Sequence, residues 1–295
     1  MSHWRIWVDT GGTFTDCLAL SPEGALRRAK VLSSSALRGM VINRIDSHAL
    51  KIREQWQAPV DFVKGSRFRL LDDRSERANR VSSYQPAEGV LRLEESLADT
   101  EIANSTFEVQ SDEEAPVLAA RLVTATAAGQ PLPQVEMRLA TTRGTNALLE
   151  RNGAATALLI TEGFADLLLI GTQQRPDIFA LEICKPQPFY QAVIEIAERL
   201  DAEGNVIRPL DESQAAAHIA RLRAQGITSA AIAFLHSYRN PEHEHRLAEI
   251  LKKQGFAFIS CSSNVAPFIK ILPRAQTTVI NAYLGPIVDD YFRNV

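Results

Sequence analysis

Along residues 4–9 the side chains alternate, with Trp4, Ile6 and Val8 on one side and Arg5, Trp7 and Asp9 on the other. A period of two predicts a strand lying on a core. Gly11 and Gly12 interrupt it, and β-prone residues resume over 13–20. Ser21-Pro22-Glu23-Gly24 is a turn signal, and residues 26–32 read as a third strand, so the chain is expected to open as a β-meander. Leu37, Val41, Ile45, Ala49 and Ile52 recur at helical intervals, which predicts a helix within 36–55. From Pro59 to about Gln110, short apolar runs around Phe62, Phe68, Leu70, Val81 and Leu91 are separated by Gly65, Asp72, Asp73, Pro86 and Gly89. This texture predicts a small β-rich insertion. Ser111 and Glu114 have the spacing of a capping box. A helix through Leu118, Leu122 and Val123 should follow it and end before Gly129, Pro131 and Pro133.

From Met137 onward the pattern alternates between short apolar runs and amphipathic stretches. Strands are predicted at 137–140, 157–161, 193–196, 230–235 and 256–260. Helices are predicted at 145–151, 212–225 and 241–254, with another from Thr277 onward. Gly226 and Gly255 sit where glycine ends a helix, and Pro241 where a helix begins. Alternation of this kind predicts an α/β domain with a largely parallel sheet. The expected division is 1–58, the opening meander and helix; 59–135, the variable β-rich and acidic insertion; and 136–295, the α/β continuation.

Composition narrows the class without naming any chemistry. The chain has 295 residues, 45% hydrophobic and 23% charged, with a formal net charge of −3. That content excludes global disorder, and the absence of a basic excess argues against a nucleic-acid partner. No run approaches the ~18–20 apolar residues of a membrane span, and the first residues lack the pattern of a signal peptide. Three widely spaced cysteines, Cys17, Cys184 and Cys261, give neither a disulfide framework nor a metal clip. A reducing, cytoplasmic location is the expectation. Eight acidic and no basic residues lie between Leu93 and Ala120, which reads as a solvated face.

Four segments have the residue types that chemistry needs. In residues 8–16 (VDTGGTFTD) a strand delivers Asp9. Two glycines then permit a close turn, and threonines with backbone N–H groups could cradle phosphate oxygens. Asp9 and Asp16 would repel phosphate directly but suit a hydrated Mg²⁺ or a base for water. The sequence is neither a Walker A loop nor a dinucleotide fingerprint. In residues 140–151, Thr142, Gly144, Thr145 and Asn146 precede an apolar-faced helix, as either an anion site or plain capping by Thr142 or Thr145. Arg143 there is either a carboxylate partner or merely exposed. Residues 171–179 (GTQQRPDIF), with Arg175, form a polar loop long enough to line a site. Residues 236–245 hold His236, His243 and Glu244, which are either a metal set or a capped helix start with surface histidines. Cys261 reads as buried and inert.

In this order these segments resemble the hydantoinase A/5-oxoprolinase family. The matching pieces are VDTGGTFTD at 8–16, TRGTNALLER at 142–151, GTQQRPDIF at 171–179, KPQPFY at 185–190, Glu198-Arg199, LHSYRNPEHE at 235–244 and TTVINAY at 277–283. The resemblance implies an actin-like ATPase (ribonuclease H-like) lobe with a β-rich insertion, and ATP and Mg²⁺ (or another divalent ion) as cofactors. Asp9 would then act near the metal and the phosphoryl group, with Asp16 holding the turn or the metal shell. Gly11, Gly12, Thr13 and Thr15 would contact phosphates, joined by Thr142, Gly144, Thr145 and Asn146. Arg143 and Arg175 would face substrate. The implied activity is ATP-driven opening of 5-oxo-L-proline to L-glutamate. Alternatives are a subunit of an ATP-dependent hydantoinase or ketone carboxylase, and a binding or assembly module with a vestigial phosphate loop. Implied partners are a small cyclic amide and the remainder of the same polypeptide or a hydantoinase B-like protein. A homo-oligomer is compatible, and neither nucleic acid nor a membrane is expected. No counterpart of the second phosphate motif occurs before Val295. The chain is therefore expected to be an N-terminal piece carrying half of a nucleotide site and inactive alone.

Overall fold

The computed structural model describes residues 3–71, 79–97, 102–172, 179, 181–182 and 185–295. They form two compact units, one of residues 1–146 and 291–295 and the other of residues 147–290.

The first unit opens with the predicted meander: β1 (Trp4–Thr10), β2 (Phe14–Leu20) and β3 (Leu26–Leu32). Ile6, Val8, Cys17, Ala19 and Val31 turn inward, and Trp7, Asp9, Asp16, Arg28 and Lys30 outward. Six further strands follow: β4 (Ala36–Arg44), β5 (Ala49–Arg53), β6 (Arg67–Leu70), β7 (Asn79–Gln85), β8 (Val90–Leu93) and β9 (Thr106–Gln110). They close a barrel in the order β4-β5-β8-β7-β6-β9. The predicted helix within 36–55 is therefore a pair of antiparallel strands, β4 and β5. Leu37, Val41, Ile45 and Ala49 recur every four residues, and four is also two strand periods, so this spacing cannot separate helix from strand. The barrel interior, with Val41, Leu50, Phe68, Tyr84, Leu91 and Phe107 fully or almost fully buried, decides the matter. The barrel strands run from Ala36 to Gln110, so the expected boundary at 58/59 falls inside the barrel.

Helix α1 (Ala115–Thr124) packs beneath β2 and β3. Its Leu118, Ala119 and Val123 share one core with Ile6, Val8 and the barrel residues. The capping box does not form. Ser111 Oγ accepts from Glu113 N–H, and the Glu113 carboxylate holds the Arg121 guanidinium. Pro116 starts the helix, and Ala125 in the left-handed region (φ 53°) ends it ahead of Gly129. Strand β10 (Val135–Thr141) then joins β1 in parallel, giving the sheet order β10-β1-β2-β3. Helix α2 (Arg143–Leu149) follows at once.

The second unit contains β11 (Thr156–Thr161), α3 (Leu167–Ile170), β12 (Ala192–Ile196), β13 (Arg199–Leu200), β14 (Val206–Arg208), α4 (Glu212–Ala224), β15 (Ser229–Ala233), α5 (Glu242–Lys253), β16 (Phe258–Cys261), α6 (Ser262–Val265) and α7 (Ile271–Asn294), whose last residues belong to the first unit. Its main sheet runs β12-β11-β15-β16, parallel throughout. Every residue of β11 and β15 is buried, as strands covered on both faces require. One face packs on α4 and α5 through Ile219, Leu222, Leu247 and Leu251, and the other on α7 through Ala275, Val279 and Ala282. Gly226 and Gly255 end α4 and α5 with φ of 79° and 81°, as predicted. Among the described residues, no helix is long and apolar enough to cross a membrane.

Candidate functional site

The turn between β1 and β2 is closed by a Gly11 N–H donating to Phe14 C=O at 3.0 Å. Neither Gly11 nor Gly12 has a positive φ; what each supplies is space. A Cβ on Gly11 would sit 3.3 Å from Phe14 O, and one on Gly12 would sit 3.2 Å from Asn146 Nδ2. Side-chain bulk at Gly12 would therefore push the turn away from α2.

Two further residues hold the turn from below, and no motif in the sequence announces either. Ser33 Oγ donates to Gly11 C=O at 2.8 Å and lies 3.1 Å from Thr15 Oγ1, while Ser33 N–H donates to Thr13 C=O. Tyr291 Oη donates to Thr10 Oγ1 at 3.2 Å. Thr15 is consequently not a phosphate contact. Its side chain is 0% exposed and committed to Ser33, so it props the turn from the core side.

Residues 141–146 come to the same place. Thr142 N–H donates to Thr10 C=O at 3.0 Å, continuing the β1–β10 ladder past Thr141. Thr141, not Thr142 or Thr145, accepts from the first helical N–H, that of Arg143. That leaves the Thr13, Thr142 and Thr145 side chains exposed around the turn, with Gly144 and Asn146 half-buried. Arg143 is exposed, its guanidinium 5.8 Å from the centre of the Tyr291 ring.

Asp9 and Asp16 are register partners on the outward face of the sheet, both exposed. Lys30, next in the same cross-strand row, pairs with Asp16 at 3.4 Å. An open cavity of about 910 Å³ lies over this face, bordered by both aspartates, Trp7, Leu18 and Arg138. Two carboxylates beside glycine-turn N–H groups are a donor set suited to a hydrated Mg²⁺ that also holds phosphate oxygens.

The histidine-rich segment of the second unit is built differently from a metal site. His243 Nδ1 lies 2.8 Å from Glu198 Oε2, and Glu198 is also held by the Thr161 hydroxyl. Glu244 accepts from Phe234 N–H at 3.0 Å, Ser262 Oγ at 2.6 Å, and both Ser263 N–H and Ser263 Oγ. Arg274 completes the cluster, with Ser237, Ser262 and the Phe234 carbonyl as partners. His236 stands apart with φ of 63°. The acceptor positions of Glu244 are thus taken, and His243 Nδ1 faces the Glu198 carboxylate, so His236, His243 and Glu244 form no metal set. Among the described residues, no group of three or more His, Cys, Asp or Glu residues could hold a metal ion.

Other matched segments act in packing. Tyr283, from TTVINAY, covers Gly153 so closely that a Cβ there would overlap its ring. Its neighbour Phe189, from KPQPFY, packs against it at a tilt of 52° with ring centres 5.1 Å apart, and carries the Arg151 guanidinium at 4.7 Å. Burial pushes the Cys261 thiol up to about 12, helped by Glu244, in keeping with an inert thiol. Arg175 and Cys184 lie outside the described residues.

The family described as the hydantoinase/oxoprolinase N-terminal region matches residues 5–66 and 96–255. A 5-oxoprolinase of Saccharomyces cerevisiae is 42% identical over 186 residues, covering 54% of this chain and 14% of that protein. 5-oxoprolinase 1 of Arabidopsis thaliana is 35% identical over 207 residues, covering 61% of this chain and 16% of that protein. The chain therefore spans about one-seventh of the length of these relatives. Among solved structures, an ATP-dependent caprolactamase from Pseudomonas jessenii superposes with a TM-score of 0.58 at 24% identity, over 98% of this chain and 32% of that one; this likeness is one of fold.

Proposed function

Since the chain belongs to the hydantoinase/oxoprolinase family, we propose that its first unit supplies the phosphate-binding half of an ATP site, in a protein that opens 5-oxo-L-proline to L-glutamate. The observation that carries this reading is the meeting of the Gly11-Gly12 turn with residues 142–146, through the Thr142–Thr10 hydrogen bond and the close approach of Gly12 to Asn146. It leaves turn N–H groups, the exposed Thr13 and Thr145 hydroxyls and two carboxylates on one rim, while the Thr142 hydroxyl donates to Thr10 C=O.

The chemistry needs those groups. A lactam resists water because its nitrogen lone pair is delocalised onto the carbonyl. Transfer of the terminal phosphoryl group of ATP to the amide oxygen forms a C–O–P link and releases ADP. Water then adds to the activated carbon and the C–N bond breaks, leaving an acyl phosphate that a second water hydrolyses to carboxylate and phosphate. The nitrogen takes a proton to become the amino group of glutamate. Such transfers depend chiefly on positioning and on stabilising phosphate charge. Gly12 and Thr13 would bind phosphate oxygens by backbone N–H and hydroxyl groups, in a turn that the Gly11 N–H closes onto Phe14 C=O, with Thr142, Gly144, Thr145 and Asn146 closing the other side. Asp9 would orient the reacting group, and Asp16, fixed by Lys30, would share with Asp9 the hold on Mg²⁺. That ion, when bound, neutralises phosphate charge. Arg143, exposed at the start of α2, would meet a substrate carboxylate.

The test is 5-oxoproline-dependent ATP hydrolysis by the full-length protein. Asp9→Ala should lower turnover by at least ~10²-fold, the scale of losing one preorganised electrostatic contact. Turnover near that of the unaltered protein would remove Asp9 from the reaction. The 295-residue chain alone should show no such turnover.

A further inference from the structure

Strand β3 ends the first sheet, and one of its long sides is open. Along the β2–β3 pair, Ser21 N–H donates to Ala25 C=O at one end and Ser33 N–H to Thr13 C=O at the other. Antiparallel ladders alternate bonded and non-bonded pairs. With Ala19 opposite Arg27, Cys17 opposite Ala29 and Thr15 opposite Val31, these three residues of β3 turn their backbone groups toward β2. Leu26, Arg28 and Lys30 turn theirs outward, and among the described residues no backbone hydrogen bond engages them.

A cavity of about 880 Å³ runs along this open side, walled by Leu122 and Val123 of α1 and by Trp56, which follows β5. Arg27, Arg28, Lys30 and Arg38 border it, and no carboxylate does. Nearby acids leave these cations in excess. Lys30 pairs with Asp16, and Arg38 shares Glu108 with Arg69. Arg27 is held by the Val123 carbonyl and the Trp4 ring.

An open edge invites a further strand, and cations along it are a common defence. They work against a second copy of this chain, since two such edges would bring like charges together. They do not work against an acidic strand. We propose that β3 receives an extended segment of a partner polypeptide as a fifth strand, with carboxylates alternating with apolar side chains. The alternation follows from the period of two. Positions beside Arg28 and Lys30 fall on the outward face that those cations occupy. The positions between them fall on the inner face, where Leu122, Val123 and Trp56 offer apolar surface. In this mode main-chain bonds give affinity and alternate side chains give specificity. The proposal does not depend on the nucleotide reading.

The test uses the 295-residue chain and a labelled, capped heptapeptide of alternating glutamate and valine. The expected result is saturable binding, with slowed hydrogen exchange at the Arg28 and Lys30 amides. Arg28→Glu should weaken binding at least ten-fold. So should Arg28→Pro, which removes an outward N–H while sparing the β2 ladder. N-methylation of alternate peptide residues should abolish binding, and a lysine–valine heptapeptide should not bind. Equal binding by the N-methylated peptide, or by the Arg28→Glu variant, would overturn the proposal. So would full displacement by equimolar tripolyphosphate, which would mark a simple anion site.

Discussion

Cys17 shows how far one residue's setting reaches. It lies in the core beneath the glycine turn, and burial pushes its thiol up to about 12, from an ordinary value of 9.0. A thiol whose folded value is raised contributes stability below its unfolded value. That contribution is lost as pH climbs from there toward the folded one. The urea midpoint should therefore fall between pH 8 and pH 10.5, and fall less in Cys17→Ala. Native chain treated with iodoacetamide at pH 8 should leave Cys17 and Cys261 unmodified, with both alkylated in urea; alkylation of the native core would contradict their burial. At this scale the sequence was readable where a residue acts alone, as with the exposed Asp9 and Thr13 and the inert Cys261. It was unreadable where a residue acts through a distant one. Ser33 meets Gly11 across 22 positions and Tyr291 meets Thr10 across 281, and neither has a local signature. Thr15 looked equivalent to Thr13, yet Thr15 lies within β2 with its side chain inward, whereas Thr13 lies in the turn before the strand begins and stays exposed.

Among elements, β4 is the instructive one. Its apolar residues fit a helix and a strand equally well, and its only dissenting feature was Gly39, a poor helix residue. The structure explains that glycine: a Cβ there would lie 2.5 Å from Phe107 Cζ and 3.0 Å from Arg53 O. Gly39→Ala should cost about 1–3 kcal/mol through overpacking, measured by urea unfolding, and Phe107→Leu in that background should recover part of the loss. A cost under about 0.5 kcal/mol would mean that the barrel yields at this point. The strands of the second unit were legible because β11 and β15 are unbroken apolar runs flanked by helices with clear glycine stops. The barrel was harder because its strands are short and pair in the non-sequential order β4-β5-β8-β7-β6-β9, which composition does not encode.

On the scale of the whole molecule, the two units differ in the charged groups that their sheets carry. The first exposes Asp9, Asp16, Lys30 and Arg28 on an open sheet face. The second encloses Glu244 and Arg274, both 0% exposed, where the carboxyl ends of β15 and β16 meet α7. Their closest charged atoms are 4.0 Å apart, and Ser262 bridges them. Burial lowers the Arg274 pKa, and Glu244 and Tyr238 oppose that shift. The histidines and glutamates of residues 236–244 suggested a ligand site because these residue types serve both metals and buried networks, and only their neighbours distinguish the two. Here serines and backbone groups consume every acceptor of Glu244, which makes the cluster a clamp joining two strand ends to a helix. Removing one partner of a buried pair leaves an uncompensated charge, at a cost of about 3–5 kcal/mol. Arg274→Met should therefore destabilise the chain by that amount in urea unfolding. Glu244→Gln in the same background should restore at least half, because the amide retains an acceptor for Phe234 N–H without the charge. If Arg274→Met alone unfolds within about 1 kcal/mol of the unaltered chain, the pair is not holding the strand ends. If the double variant is no better than the single, packing of the long Arg274 side chain, and not its charge, does the holding.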